Sequence, residues 1–125
     1  VNVVDSSGWV EFFVDGPNAH AFAAPILEVS SLLVPTICLY EVFKVVCKHR
    51  DVAAAFQAVA HMRQGIVVDV DANIALQAAR FSLELQLPMA DSLIYSVSSA
   101  HEAMLWSQDE DFDGLPGVRY FRRKG

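Results

Sequence analysis

Four acidic residues, Asp5, Glu41, Asp91 and Asp109, lie far apart in the chain, yet each falls where an apolar run meets a helix. Asp5 ends the β-branched run over residues 1–4. Asp109 follows the apolar stretch Ala103-Met104-Leu105-Trp106 by three residues. Asp91 lies in the first turn of a helix that opens after Pro88, and Glu41 in the second turn of a helix that opens after Pro35. In open parallel sheets, ligands bind beyond the carboxyl ends of the strands, and helices that leave or return to those strands begin or end at the same edge. The four carboxylates are therefore expected on one edge of one sheet. Each acid alone has an ordinary role: Asp5 as a helix cap, Asp91 favoured by the helix dipole, Asp109 in a turn, Glu41 paired with Lys44. Together they repel, by about 4 kcal/mol for a pair ~4 Å apart at an effective dielectric of 20, so their gathering calls for a cation. An all-oxygen donor set without His or Cys selects a hard ion, Mg²⁺ or Mn²⁺.

The elements that would carry these residues are legible as punctuated apolar runs. Residues 1–4 read as a buried strand. Ser6 and Ser7 are candidate caps for a short helix with Trp9, Val10, Phe12 and Phe13 on its apolar side, and Asp15-Gly16-Pro17 is a turn. A helix is expected over 18–30, bent or split by Pro25, and a strand over 32–34, closed by Pro35. Thr36 is the expected cap of a helix over 37–49, and Asp51 of one over 52–64 that Gly65 ends. Then follow a strand at 66–69, a helix from Asp71 to about 86, a helix at 89–102, a strand at 103–106, an acidic loop at 107–114 and a strand at 118–121. Arg122-Arg123-Lys124-Gly125 is a basic tail. No strand shows a polar face, so helices should cover both sides. The expected fold is an α/β/α sandwich around a central, mostly parallel five-stranded sheet, one domain over 1–125.

Composition narrows the partners. With 15 Asp+Glu against 9 Lys+Arg, the net charge of −6 excludes binding through a broad basic face. Nucleic acid would have to be held by bound cations and a few side chains, of which Lys44, Lys48 and Arg50 are candidates. No apolar run reaches the ~18–20 residues of a membrane span, and the first residues do not resemble a signal peptide. Cys38 and Cys47, nine residues apart on one helix, point to opposite faces roughly 13 Å apart along the axis and cannot bridge. Free thiols suit a cytoplasmic protein. His20, His49, His61 and His101 are scattered without zinc spacing. Asp69 ends the strand at 66–69 and Asp71 caps the next helix, both away from the site if that strand is an edge strand, and Asp15 and Asp113 sit in Asp-Gly turns. Asp111, two residues past Asp109, is an auxiliary candidate facing the same cleft.

Four segments in order resemble the PIN domain, and within it the VapC-type toxins of toxin–antitoxin pairs. Val3-Val4-Asp5-Ser6-Ser7 resembles the opening strand-Asp-Ser/Thr motif. Leu33-Val34-Pro35-Thr36-Ile37-Cys38-Leu39-Tyr40-Glu41-Val42 is similar to the segment that delivers the family Glu. Leu87-Pro88-Met89-Ala90-Asp91-Ser92 resembles the helix-starting Ala-Asp motif, and Trp106-Ser107-Gln108-Asp109-Glu110-Asp111-Phe112 the Thr/Ser-x-Asp-x-Asp-Phe loop, with Ser107 where Thr is commoner. The resemblance implies a metal-dependent ribonuclease in which Asp5, Glu41, Asp91 and Asp109 hold one or two Mg²⁺ or Mn²⁺ ions that activate water against an RNA phosphodiester, with Glu41 or Asp91 orienting that water. Ser7, or alternatively Ser6, would contact the Asp109 loop or the scissile phosphate. It further implies a homodimer and an antitoxin that places an Arg or Lys among the carboxylates. A housekeeping RNA-processing nuclease of the same family is the alternative. A receiver-like phosphoacceptor fits less well: it needs an acidic pair after the first strand, where Ser6 and Ser7 follow Asp5.

Overall fold

The computed structural model describes residues 1–124; Gly125, the end of the basic tail, lies outside the described residues. The elements are β1 (Asn2–Val4), α1 (Ser6–Phe13), α2 (Ala19–Leu27), β2 (Leu32–Pro35), α3 (Thr36–His49), α4 (Val52–Met62), β3 (Ile66–Val68), α5 (Ala72–Leu85), α6 (Met89–Ala100), β4 (Met104–Ser107) and β5 (Val118–Tyr120). The strands form one sheet in the order β3-β2-β1-β4-β5, and every neighbouring pair is parallel. The six helices flank this sheet as the α/β/α sandwich expected from the sequence. Strand order reverses between β1 and β4, where Val3 pairs with Leu33 on one side and with Leu105 on the other. That switch point is where a parallel sheet leaves a crevice at its carboxyl edge. Asp5 leaves β1 and Asp109 follows β4, so both emerge beside it.

The middles of the central strands are apolar because both their faces are covered: Val3, Val4, Val34 and Leu105 have no exposed surface. Trp9, Phe22, Ile26, Ile94 and Phe112 pack against them from the helical layers and the loop after β4. Close approach of α1 to the sheet depends on Gly8. A Cβ there would stand 2.7 Å from both the Phe22 ring and Val4 Cγ1. The edge strand β3 carries Asp69 just beyond its end, exposed and far from the switch point, which removes the structural basis of a phosphoacceptor reading.

Local details depart from the sequence expectations in instructive ways. Asp5, not Ser6 or Ser7, caps α1, its carboxylate accepting the Gly8 N–H at 2.9 Å. Pro25 does not split α2; it sits in the last turn, and the helix stops at Leu27 before a 3₁₀ turn over Val29–Ser31. Thr36 does not cap α3. Pro35 holds that position, and the Thr36 hydroxyl instead accepts the Val70 N–H at 3.3 Å, tying β3's exit to β2. Asp51 and Asp71 do cap their helices, accepting from Ala54 N–H at 2.7 Å and Ile74 N–H at 2.9 Å. α4 ends at Met62, short of Gln64, and α6 ends at Ala100, short of Glu102.

Candidate active site

Asp5 is the most enclosed carboxylate of the edge, 2% exposed. Leaving β1 in an extended conformation, it turns its side chain back over the start of α1. There Oδ1 accepts from Gly8 N–H, and the Ser7 hydroxyl lies 2.8 Å from Oδ1 and 3.0 Å from Oδ2. Across the switch point the Ser107 hydroxyl donates to Oδ2 at 2.6 Å. Burial raises the Asp5 carboxyl to about 6; the hydrogen bonds from Ser107, Gly8 and Ser7 oppose that rise, and the Asp109 charge adds to it. The Asp5 carboxyl is thus held in one orientation by three donors at a buried position.

The acidic loop after β4 is pinned at both ends. Ser107 and Gln108 are buried, and Phe112 inserts fully into the core. Between them a 3₁₀ turn over Glu110–Phe112 is capped by Asp109, whose Oδ1 accepts the Asp111 N–H at 3.0 Å. This turn aims Asp109 and Asp111 at Asp91, in the first turn of α6. One oxygen from each of Asp91, Asp109 and Asp111 lies within 4.8 Å of the other two. The Asp91 carboxyl is pushed up to about 8, first by burial, then by the Asp109 charge and by a hydrogen bond to and the charge of Asp111. Asp111, only auxiliary on sequence grounds, therefore belongs to the tightest cluster, while Asp5 and Glu41 fall outside it.

Glu41 stands on the other flank, on α3, where the Ser6 hydroxyl donates to its Oε1 at 2.6 Å. The neighbouring serines thus serve different carboxylates, Ser6 holding Glu41 and Ser7 holding Asp5. Ser7 meets the Asp109 loop through its carbonyl, which accepts from the Gln108 side-chain amide at 3.5 Å, and not through its hydroxyl. Within that loop the Ser107 hydroxyl accepts the Asp109 N–H at 2.9 Å while donating to Asp5. Beneath the cluster Cys38 is fully buried, and burial pushes its thiol well above its ordinary range; the charges of Asp5, Glu41 and Asp91 act in the same direction. It remains a protonated thiol and leaves the donor set all-oxygen.

No cation answers these charges: among the described residues the ion pair within 4 Å is Arg80–Glu84, on the exposed face of α5. Lys44 lies over the Tyr40 ring, 5.8 Å from its centroid. Lys48 and Arg50 sit at the far end of α3, roughly 10 Å or more along the axis from Glu41, and do not reach the site. Trp9 is core. Phe12 and Phe13 are half-buried and form an aromatic cluster with Trp9 and His61. Cys38 and Cys47 are both free thiols. No helix among the described residues is long and apolar enough to cross a membrane.

The chain resembles several solved structures over nearly its whole length. A toxin–antitoxin complex from Klebsiella pneumoniae superposes with a TM-score of 0.79 at 19% identity, covering 95% of this chain and 96% of that one. Mycobacterium tuberculosis VapC20, described as a Sarcin-Ricin loop cleaving toxin, gives 0.76 at 18% identity, covering 95% and 99%. The DNA-bound VapBC of Salmonella typhimurium gives 0.74 at 16% identity, covering 96% of each. At these identities the likeness is one of fold. No curated protein sequence matches significantly. The family model of the PIN domain matches residues 3–118. A match that opens in β1 and closes in β5 takes in every carboxylate of the edge, and on it the chain belongs to the PIN domain family.

Proposed function

We propose that this protein is a ribonuclease, the toxin of a toxin–antitoxin pair, which hydrolyses RNA phosphodiester bonds at a divalent-cation site on the carboxyl edge of the sheet. The observation that carries this reading is the meeting of Asp91, Asp109 and Asp111 within 4.8 Å, next to the buried Asp5 and without a protein cation. Such an oxygen-only set fits Mg²⁺ or Mn²⁺ and no softer ion. Membership of the PIN family and the likeness to an RNA-cleaving toxin support the choice of reaction.

Asp91, Asp109 and Asp111 would hold the ion, with Asp5 completing the negative field. When bound, Mg²⁺ or Mn²⁺ supplies the charge that polarises a phosphoryl oxygen and acidifies water. The residues of the chain then have distinct tasks. Ser107 fixes the distance between Asp5 and the Asp109 loop, so the ligands do not rearrange as charge develops. Glu41, outside the tight cluster and oriented by Ser6, would orient the attacking water and accept its proton. Asp5, locked by three donors, serves as a fixed charge rather than a proton carrier.

The same field supports an antitoxin partner that lays an Arg or Lys side chain among the carboxylates, as such a charge relieves the repulsion the metal otherwise relieves. An apolar groove of about 640 Å³ between α5 and α6, flanked by the exposed Leu83 and Met89, supports a homodimer. The test is cleavage of single-stranded and structured RNA with and without chelator. Cleavage that stops in EDTA and returns with Mg²⁺ or Mn²⁺ is the expected result, and full cleavage in EDTA would contradict the proposal.

A further inference from the structure

The basic tail returns to the acidic edge. After β5 the Phe121 N–H bonds to the Ser107 carbonyl at 2.8 Å, which carries the chain past the residue linking Asp5 to Asp109. Asn18, buried at the start of α2, then clamps the tail. Its side-chain amide lies 3.0 Å from the Arg122 carbonyl and 3.1 Å from Gln108 Oε1. Gln108, also buried, reaches the Ser7 carbonyl at 3.5 Å. A run of hydrogen bonds from Arg122 through Asn18 and Gln108 to Ser7 thus fixes the tail relative to the serines that hold Asp5 and Glu41.

This path sets Arg123 at the mouth of the site. It lines a cavity of about 260 Å³ together with Ser6, Ser7, Glu41 and Gln108. It also lines an adjoining cavity of about 190 Å³ with Gln108, Glu110 and Arg122. Arg123 is exposed, and among the described residues no carboxylate lies within 4 Å of it. Arg119, on β5, is already engaged: it stacks on Trp106, 4.8 Å from the ring centroid. An RNA strand entering a rim of five carboxylates on a chain of net charge −6 meets repulsion at every phosphate except where a cation faces it. The guanidinium forks onto two phosphate oxygens and keeps its charge at any working pH.

Resting on the ribonuclease reading above, we propose that Arg123 binds a backbone phosphate of the RNA strand on the Glu41 side of the cleft, making it a substrate-binding residue that guides the strand across the carboxylates. The experiment compares parent and Arg123→Gln proteins, both carrying Asp109→Asn to prevent cutting, for binding of fluorescent single-stranded RNA over a range of salt. The loss of one phosphate contact should lower the slope of log affinity against log salt by about 0.7. Affinity near physiological salt should fall roughly fivefold, as for an exposed ion pair, and Arg123→Lys should recover part of it. In proteins with Asp109 intact, Arg123→Gln should raise KM with little change in kcat, while its melting temperature stays at the wild-type value. An unchanged slope with unchanged KM overturns the proposal and leaves the ribonuclease reading standing. Faster cleavage by Arg123→Gln also overturns it, since Arg123 would then be blocking the site by pairing with Glu41. An Arg123-dependent slope on RNA that neither active form cuts upholds the phosphate contact and counts against the ribonuclease reading.

Discussion

One hydroxyl ties the Asp5 carboxylate to the Asp109 backbone: Ser107 Oγ donates to Asp5 at 2.6 Å and accepts the Asp109 N–H at 2.9 Å, joining the exits of β1 and β4 across the switch point. Ser107→Ala should therefore loosen the site and also destabilise the fold, by roughly 1–3 kcal/mol for a buried hydrogen bond to a charged group. Cleavage should fall mainly in kcat, and Ser107→Thr should keep most of it. Urea melts and steady-state kinetics of the two variants check this; an alanine variant with wild-type kcat would show that the bridge does not organise the ligands.

Asp91 and Asp5 should respond oppositely to conversion to the amide. Asp91 faces the like charges of Asp109, Asp111 and Asp5, so Asp91→Asn should abolish cleavage while leaving the metal-free protein as stable as wild type or more so. Asp109→Asn should behave similarly, because Asn can still accept the Asp111 N–H. Asp5 accepts from Ser7, Gly8 and Ser107, and an amide NH₂ in place of one oxygen leaves a donor facing donors. Asp5→Asn should therefore melt lower. Thermal melts in EDTA distinguish the cases, and a lower melting point for Asp91→Asn than for Asp5→Asn would contradict the assignment.

Stability of the metal-free protein should depend on pH in a direction set by the same repulsion. Folded, Asp91 keeps its proton up to about pH 8 and Asp5 to about pH 6, whereas both lose it near 4 when unfolded. Between those values the folded state binds more protons, so this contribution is fully present below about pH 4 and is lost as pH rises through 6 and 8. Melting temperature in EDTA should fall from pH 5 to pH 8.5, and Asp91→Asn should flatten the fall. Added Mg²⁺ should raise the melting point at pH 8.5 by binding the folded form alone. A wild-type curve no steeper than that of Asp91→Asn would contradict the raised carboxyl at Asp91.

Gly8 carries both the packing of α1 and the N–H that Asp5 accepts. Gly8→Ala places a Cβ 2.7 Å from Phe22 and Val4, so α1 must move outward at a cost of about 1–3 kcal/mol despite the better helix propensity of Ala. Activity should fall together with stability, and Phe22→Leu in the same chain should recover part of both. Denaturant melts of the single and double variants test this.

The layout of the sheet and the positions of Asp5, Asp91 and Asp109 were legible because strand ends and helix starts are punctuated locally, by Asp5 after Val4 and by Pro88 before Met89. Hydroxyl partners were not. Adjacent residues at a helix start point about 100° apart, so Ser6 and Ser7 diverge to Glu41 and Asp5, and only the built first turn tells which goes where. Asp111 looked secondary because two residues past Asp109 means opposite things in a strand and in a 3₁₀ turn; the turn brings it toward Asp91. The return of the tail had no local signal at all. It depends on Asn18 contacting Gln108 and Arg122, 90 and 104 residues away.

A divalent cation held by Asp91, Asp109 and Asp111 and used in RNA hydrolysis is the centre of this account. Its most direct test is a Mn²⁺ titration at pH 7.5, following free Mn²⁺ by electron paramagnetic resonance and RNA cleavage in the same samples, for wild type and Asp91→Asn/Asp109→Asn. Wild type should remove Mn²⁺ from solution, with cleavage rising along the same curve, while the double variant should do neither. Mn²⁺ uptake by the double variant equal to wild type, or cleavage by wild type at full rate before any Mn²⁺ is bound, would contradict it.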